Sequence, residues 1–240
     1  MKIDVFDGFV ELVDVFGDDL SVVNSARVSF GAQTDEFTER DKKLMRYLWQ
    51  HDHTSPFRMA SVKFRVKAPV FVLRQWMKHV IGCSWNEASA RYTEIKEEFF
   101  KPVTWRLQHK TSKQSSYGET STQISNEAFA RLDESYMLAY TNYKWMLEQG
   151  ICREQARVLL PVGMYSSCIW KADLQAIMHF LTLRLDEHAQ VEIQEFAKAV
   201  KQIVSTQFPQ SIKLLDQSIY VKKELEPMKS DLWRAYDSQD

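Results

Sequence analysis

The sequence predicts an α+β fold, a small and mostly antiparallel sheet packed with long helices. Three observations carry the prediction. β-prone stretches open the chain, one segment around Phe64 alternates between apolar and basic side chains, and later stretches repeat apolar residues at helical spacing.

In order, Ile3, Val5 and Phe9, followed by Val10, Leu12 and Val13, read as a strand, a turn and a strand at a sheet edge. A turn at Gly17-Asp18-Asp19 precedes a short helix over 19–28, and over 39–50 Leu44, Tyr47 and Leu48 share one helix face. His51–Phe57 is a polar loop punctuated by Pro56. Over 61–67, Val62, Phe64 and Val66 alternate with Lys63, Arg65 and Lys67, giving one buried and one basic face. Ala68-Pro69 opens a helix through Val70–His79, with the proline in its tolerated first turn. The Gly82 break makes 81–92 a loop, and 93–101 return as a strand. Residues 104–120, rich in Thr, Ser, Lys and Gln, read as a mobile surface loop. Ile124, Ala128, Phe129, Leu132, Tyr136, Ala139, Tyr140 and Tyr143 form a core-facing helical stripe closed by Gly150. Cys152–Leu160 is a short helix ended by Pro161, 171–206 are helical up to Pro209, and a last helix runs into a polar tail. With no repeat and no linker, 1–240 read as one domain.

The composition narrows the function classes. Hydrophobic residues make up 45% of the chain, enough for a full core. A net charge of -1 points to neither a nucleic-acid nor a membrane partner. Cys83, Cys152 and Cys168 form no CxxC pair, which argues for a reducing compartment without a disulfide framework or zinc site. The opening residues lack the basic-then-apolar pattern of a secretion signal, and no apolar run is long enough to span a membrane, so the expectation is a cytoplasmic protein. GxGxxG and GxxxxGK[ST] are both absent, so any nucleotide is bound without a Rossmann or P-loop turn.

Chemistry concentrates in Arg74-Gln75-Trp76-Met77-Lys78-His79 and in Asn86-Glu87-Ala88-Ser89-Ala90-Arg91-Tyr92. Lysine and arginine can hold a phosphate, and Gln, Asn and Ser can meet a base edge or sugar hydroxyl. The plainer reading is a solvated helix face beside a turn. Arg184 lies in an apolar stretch with Leu181, Leu183 and Leu185. A cation there needs a partner, either a carboxylate such as Glu154 or Asp186 or an anionic ligand, and Arg157 poses the same choice. His51 and His53 lack a third metal ligand, so no metal is expected.

The string RQWMKHVIGCSWNEASARY, residues 74–92, resembles the signature of flavin-dependent thymidylate synthases, RQW-x-RHR followed after a short spacer by NE-x-S-x-RY. The opening block through ARVSF, the HxHxSPF loop, VKAPVFVLRQW, ARVLLP and FLTLRLDEHAQVEIQ follow in the family's order, with a gap around 103–122. This resemblance implies reductive methylation of dUMP to dTMP, with 5,10-methylenetetrahydrofolate as carbon donor and FAD reduced by NADPH. It implies a homotetramer with shared active sites. A dUMP site is implied at Gln75, Trp76, Met77, Lys78, Glu87, Ala88, Ser89, Ala90, Arg91, Arg157 and Arg184. An FAD site is implied at Ser55, Lys78, His79, Val80, Glu87, Asp173, Leu174, Gln175 and His179, with His53 near the folate or flavin. Lys78 and Val80 stand where arginines are usual, Asp173, Gln175 and His179 replace the usual Asn, Arg and Asn, and Arg58 replaces a common glutamate. No cysteine sits in the Pro-Cys-His context of the synthases that attack uracil C6 with a thiolate. Activation of C5 therefore falls to electrostatics, with Arg184 as the expected catalytic residue and Ser89 in a binding role. Two other readings remain: an inactive or non-flavin nucleotide-binding relative, and a single-strand nucleic-acid binder using Trp76, Trp85 and the basic strand.

Overall fold

A tight hairpin starts the chain, and Gly8 lets its second strand lie close to the next one. A Cβ at Gly8 would lie 2.1 Å from the Lys67 carbonyl oxygen of the next strand. The computed structural model describes residues 1–111, 113 and 115–237; the end of the expected polar tail lies outside them. In chain order its strands are β1 (Lys2–Val5), β2 (Gly8–Phe16), β3 (Ser61–Pro69), β4 (Cys83–Glu87), β5 (Arg106–Gln108), β6 (Ser116–Glu119) and β7 (Tyr165–Asp173). Its helices are α1 (Asp19–Arg27), α2 (Glu39–Gln50), α3 (Val70–Trp76), α4 (Thr122–Glu148), α5 (Arg153–Ala156), α6 (Leu174–Arg184), α7 (Val191–Gln207) and α8 (Pro209–Asp237). The main sheet has the order β1-β2-β3-β7-β4 with every pair antiparallel. The α+β expectation holds.

Val62, Phe64 and Val66 of β3 are buried as their alternation requires. Helices α6 and α7 cover that face, and an aromatic stack fills the space between. Phe64, Trp170 and Trp85 lie parallel at 5.3 and 5.5 Å, and Trp76 stacks on Phe180 at 4.8 Å. A register shift between Leu12 and Asp14 turns Val13 outward.

Several expectations are corrected. In α2 the buried positions are Asp41, Met45 and Leu48, while Tyr47 is exposed. Asp41 is held there by the buried pair with Arg27 and by Thr38, a partner that residue spacing could not supply. Pro69 ends β3 and caps α3, which stops at Trp76. His79 instead closes a tighter turn, its amide donating to the Trp76 carbonyl at 3.0 Å. Residues 83–87 are strand β4, because the edge of β7 supplies the ladder that a short polar sequence does not announce. The expected helix from 171 begins at Leu174, after strand β7, and breaks between α6 and α7. The expected strand at 93–101 forms only an isolated bridge, Phe99 with Met164. Tyrosine hydroxyls on α4 take up its backbone groups instead. Tyr143 accepts from the Ile95 amide at 3.1 Å, Tyr140 donates to the Ile95 carbonyl at 3.3 Å, and Tyr136 donates to the Phe100 carbonyl at 2.9 Å. The 104–120 segment carries the hairpin β5–β6. Of the expected α4 stripe only Tyr143 is fully buried, Ala128, Phe129, Leu132, Tyr136, Ala139 and Tyr140 are half-buried and Ile124 is exposed, while Met137, Leu138 and Trp145 stand exposed outside it.

Candidate active site

The junction of β7 and α6 organises one end of the sheet. Asp173 caps α6 by accepting from the Ala176 amide at 2.7 Å, and its own amide donates to the Gly82 carbonyl at 2.9 Å. Gly82 has φ 72°, and a Cβ there would lie 2.3 Å from Asp173 Oδ2. The 77–82 turn is thereby laid across the start of α6. Arg58, Lys78, His79, Val80, Ile81, Gln175, Ala176, His179, Leu183 and Arg184 line a cleft of about 460 Å³. Six of the expected site residues meet in it.

Arg184 closes α6, its Nε donating to His79 Nε2 at 3.1 Å and its Nη2 to the Gln75 carbonyl oxygen at 3.4 Å. Two of the guanidinium's five donors are thus used, and the others remain for a ligand. Neither carboxylate weighed as a partner reaches it. Glu154 pairs with Arg91 at 3.2 Å, and Asp186 meets His188 at 3.1 Å. Among the described residues no carboxylate pairs with Arg184, Arg58, Lys78 or Arg157.

His79 must be neutral at Nε2 to accept from Arg184. Burial, then the Arg184 charge, then His179 bring its pKa down from 6.5 to about 4. Burial also lowers the pKa of Arg184. The sign of the His79 effect follows from proton linkage. Between pH 6.5 and about 4 the unfolded chain takes up a proton that folded His79 refuses, so stability falls as pH falls through that window. A His79→Gln variant carries no such proton. Its urea midpoint should fall less between pH 7 and pH 5 than the wild-type midpoint; equal declines would show that His79 is not held neutral.

A second group forms at the other end of β4. Ser166 Oγ donates to Glu87 Oε1 at 2.7 Å, and the Arg91 amide donates to Ser89 Oγ at 3.2 Å. Arg91 reaches Glu154 of α5, and Arg157 is exposed in the following 3-10 turn. Four strand steps from Cys83 to Glu87 separate this group from the first by roughly 13 Å. One chain therefore does not gather all the expected dUMP residues around one point.

Trp76 and Leu174 have 0% exposure and Ala90 only 6%, so their side chains are packing, and only their backbone groups could meet a ligand. Met77 is half-buried, and Ala88 is exposed on the β4 side. Ser55 and His53 are exposed before β3, with His53 packed against Tyr47 at 5.8 Å. The 51–57 loop is otherwise as expected until Ser55, where a 3-10 turn buries Pro56 and Phe57. Among the described residues no cluster could hold a metal ion, and no helix is long and apolar enough to cross a membrane. Sequence reasoning missed Ile81 and Leu183 as apolar walls; the Val80-Ile81 pair after a polar run was the available signal. The cleft's composition fits a flavin nucleotide: unpaired Arg58 and Lys78 suit a diphosphate, and Val80, Ile81 and Leu183 offer apolar walls to a ring system.

Comparison with known proteins agrees with this chemistry. Residues 11–210 match the family model described as thymidylate synthase complementing protein. The chain is 46% identical over 210 residues to a flavin-dependent thymidylate synthase of Thermus thermophilus, covering 87% of this chain and 76% of that protein. It is 42% identical to the enzyme of the same name from Kosmotoga olearia, covering 87% and 90%. The crystal structure of the UMP/dUMP methylase PolB from Streptomyces cacaoi, bound with 5-Br dUMP, superposes with a TM-score of 0.80 at 33% identity, covering 89% of this chain and 96% of that one.

Proposed function

This chain belongs to the family of thymidylate synthase complementing proteins, and we propose that it acts as a flavin-dependent thymidylate synthase, methylating dUMP to dTMP. The observation that carries the reading is Arg184, a cation with no carboxylate partner among the described residues, oriented by neutral His79 and the Gln75 carbonyl, with donors to spare in a cleft. Uracil C5 is a poor nucleophile. A guanidinium aimed at the N3/O face stabilises negative charge on the ring and raises enolate character at C5. Two protein groups fix the plane of that guanidinium, so little reorganisation accompanies the charge shift.

Arg91 and Arg157 neutralise the dUMP phosphate, with Arg91 exchanging Glu154 for the ligand, while Glu87, Ser89 and the backbone of Ala88 and Ala90 position the nucleotide. Lys78 and Arg58 would hold the FAD diphosphate, and His79, Val80, Gln175, His179 and the Asp173–Leu174 backbone would border the cofactor. A flavin held there would supply the reducing equivalents for the methyl group, with NADPH as its reductant and 5,10-methylenetetrahydrofolate as the carbon donor. Exposed Ser55 would add to the FAD site, and exposed His53 would face the folate or the flavin.

Two features support a homotetramer with shared sites. The dUMP residues occupy opposite ends of β4. Apolar side chains are also left uncovered beside them: Phe16, Met59, Val80 and Ile81 at one end of the sheet, and the outer stripe of α4. Buried Trp76, and Trp85 already stacked on Trp170, offer no platform for single-stranded bases, so the nucleic-acid reading loses its main contacts. The purified protein should show flavin absorbance and form dTMP from dUMP, methylenetetrahydrofolate and NADPH. Flavin-loaded protein that forms no dTMP would refute the assignment.

A further inference from the structure

Gln75 lies at the start of a chain of side-chain hydrogen bonds leading away from the site. Its Nε2 donates to Gln190 Oε1, and Gln190 Nε2 donates to Glu192 Oε2 at 2.8 Å. Glu192, in the first turn of α7, is only 4% exposed, and its other oxygen accepts from Arg106 Nη2 at 2.8 Å. Arg106 comes from the β5–β6 hairpin, where its Nε also donates to Ser116 Oγ at 3.0 Å.

The chemistry of this chain is directional. An ionised carboxylate only accepts, so the Gln190 group facing Glu192 must be its NH₂. The Gln190 oxygen then faces Gln75, and the Gln75 group facing it must be the NH₂ in turn. Gln75 Oε1 is what remains, and no donor among the described residues reaches it. An amide free to flip could present either a donor or an acceptor to a ligand, whereas this one is pinned. We infer that Gln190 and Glu192, clasped by Arg106, are positioning residues that lock the Gln75 amide so that its oxygen accepts from a donor on dUMP, an N–H of the base or a hydroxyl of the sugar. The inference rests on the reading above that Gln75 faces dUMP.

Glu192→Gln tests the direction of the chain while keeping its shape. Arg106 only donates, so it takes the oxygen of the substituted amide and turns the new NH₂ toward Gln190. Each amide then reverses, and Gln75 presents NH₂ where the nucleotide also donates. The dUMP dissociation constant, measured by calorimetry on flavin-loaded full-length protein, should rise about 10-fold, the scale of one mismatched hydrogen bond. The exchange variant, Gln190→Glu combined with Glu192→Gln, puts the acceptor-only group beside Gln75 and restores its polarity. Its affinity should return to within about threefold of wild type. A merely structural role for the Arg106–Glu192 ion pair predicts no such rescue, because that pair is lost in both variants. An unchanged dissociation constant in Glu192→Gln, or an exchange variant as weak as the single one, overturns the relay. Gln75→Leu separates the two levels: if it binds dUMP normally, the dUMP assignment of Gln75 fails and the relay's role with it. If it binds weakly while Glu192→Gln binds normally, only the relay fails. Should Glu192→Gln not fold, Gln190→Met keeps the Arg106–Glu192 pair, and its dUMP affinity should fall by a similar factor; normal binding there overturns the relay.

Discussion

Arg184→Ala should fold, bind flavin and turn dUMP over about 10²–10³-fold more slowly than wild type, the usual consequence of removing one preorganised donor from developing negative charge. The structure makes this expectation sharper than residue spacing could. An ion pair with Glu154 or Asp186 would make Arg184 a structural residue, but both carboxylates are engaged elsewhere. What holds Arg184 is a neutral imidazole and a carbonyl, neither of which cancels its charge. Ground-state dUMP is neutral at the ring, so the interaction strengthens as the ring gains electron density, and the loss falls on kcat more than on KM. Arg184→Lys keeps the charge but has no fork with which to hold His79, Gln75 and the ring together, so it should remain about 10-fold or more below wild type. A Lys variant with near wild-type turnover beside an Ala variant that melts several degrees lower would overturn the catalytic role.

Two dead variants should revive each other. Arg184 and Arg157 belong to groups at opposite ends of β4, and a site shared between subunits takes one group from each of two chains. Arg184→Ala and Arg157→Ala homo-oligomers should each be nearly inactive. When they are unfolded together and reassembled at equal amounts, each site draws its Arg184 half and its Arg157 half at random. About one site in four is then intact, and activity should recover to about a quarter of wild type. Shared sites fail as an explanation if the mixture stays at the level of its components while light scattering shows that subunits have exchanged. Recovery near a quarter excludes a site built within one chain, which mixing cannot repair.

Local patterning made much of the fold legible. The alternation at Val62, Phe64 and Val66 marked β3, and the ordered motif blocks assigned Lys78, His79, Val80, Gln175 and His179 to a cofactor site and Arg184 to the dUMP site, six residues that the cleft brings together. Long-range partners were not legible, because a sequence period reports one element's face and not what covers it. Strand β4 exists because β7 offers it a hydrogen-bonding edge, and segment 93–101 is no strand because three tyrosines of α4 satisfy it instead. The Arg106–Glu192–Gln190–Gln75 chain joins residues 86, two and 115 positions apart in turn. The sequence by itself determined that cations, amides and an arginine in an apolar stretch stand together in the motif blocks, the chemistry expected of an anionic-nucleotide site. Only the tertiary structure decided which cations are free of carboxylates among the described residues, that His79 accepts from Arg184, and that the expected dUMP residues divide between two ends of one strand. Side-chain chemistry is written locally, but charge compensation and burial are settled by neighbours that only folding brings together.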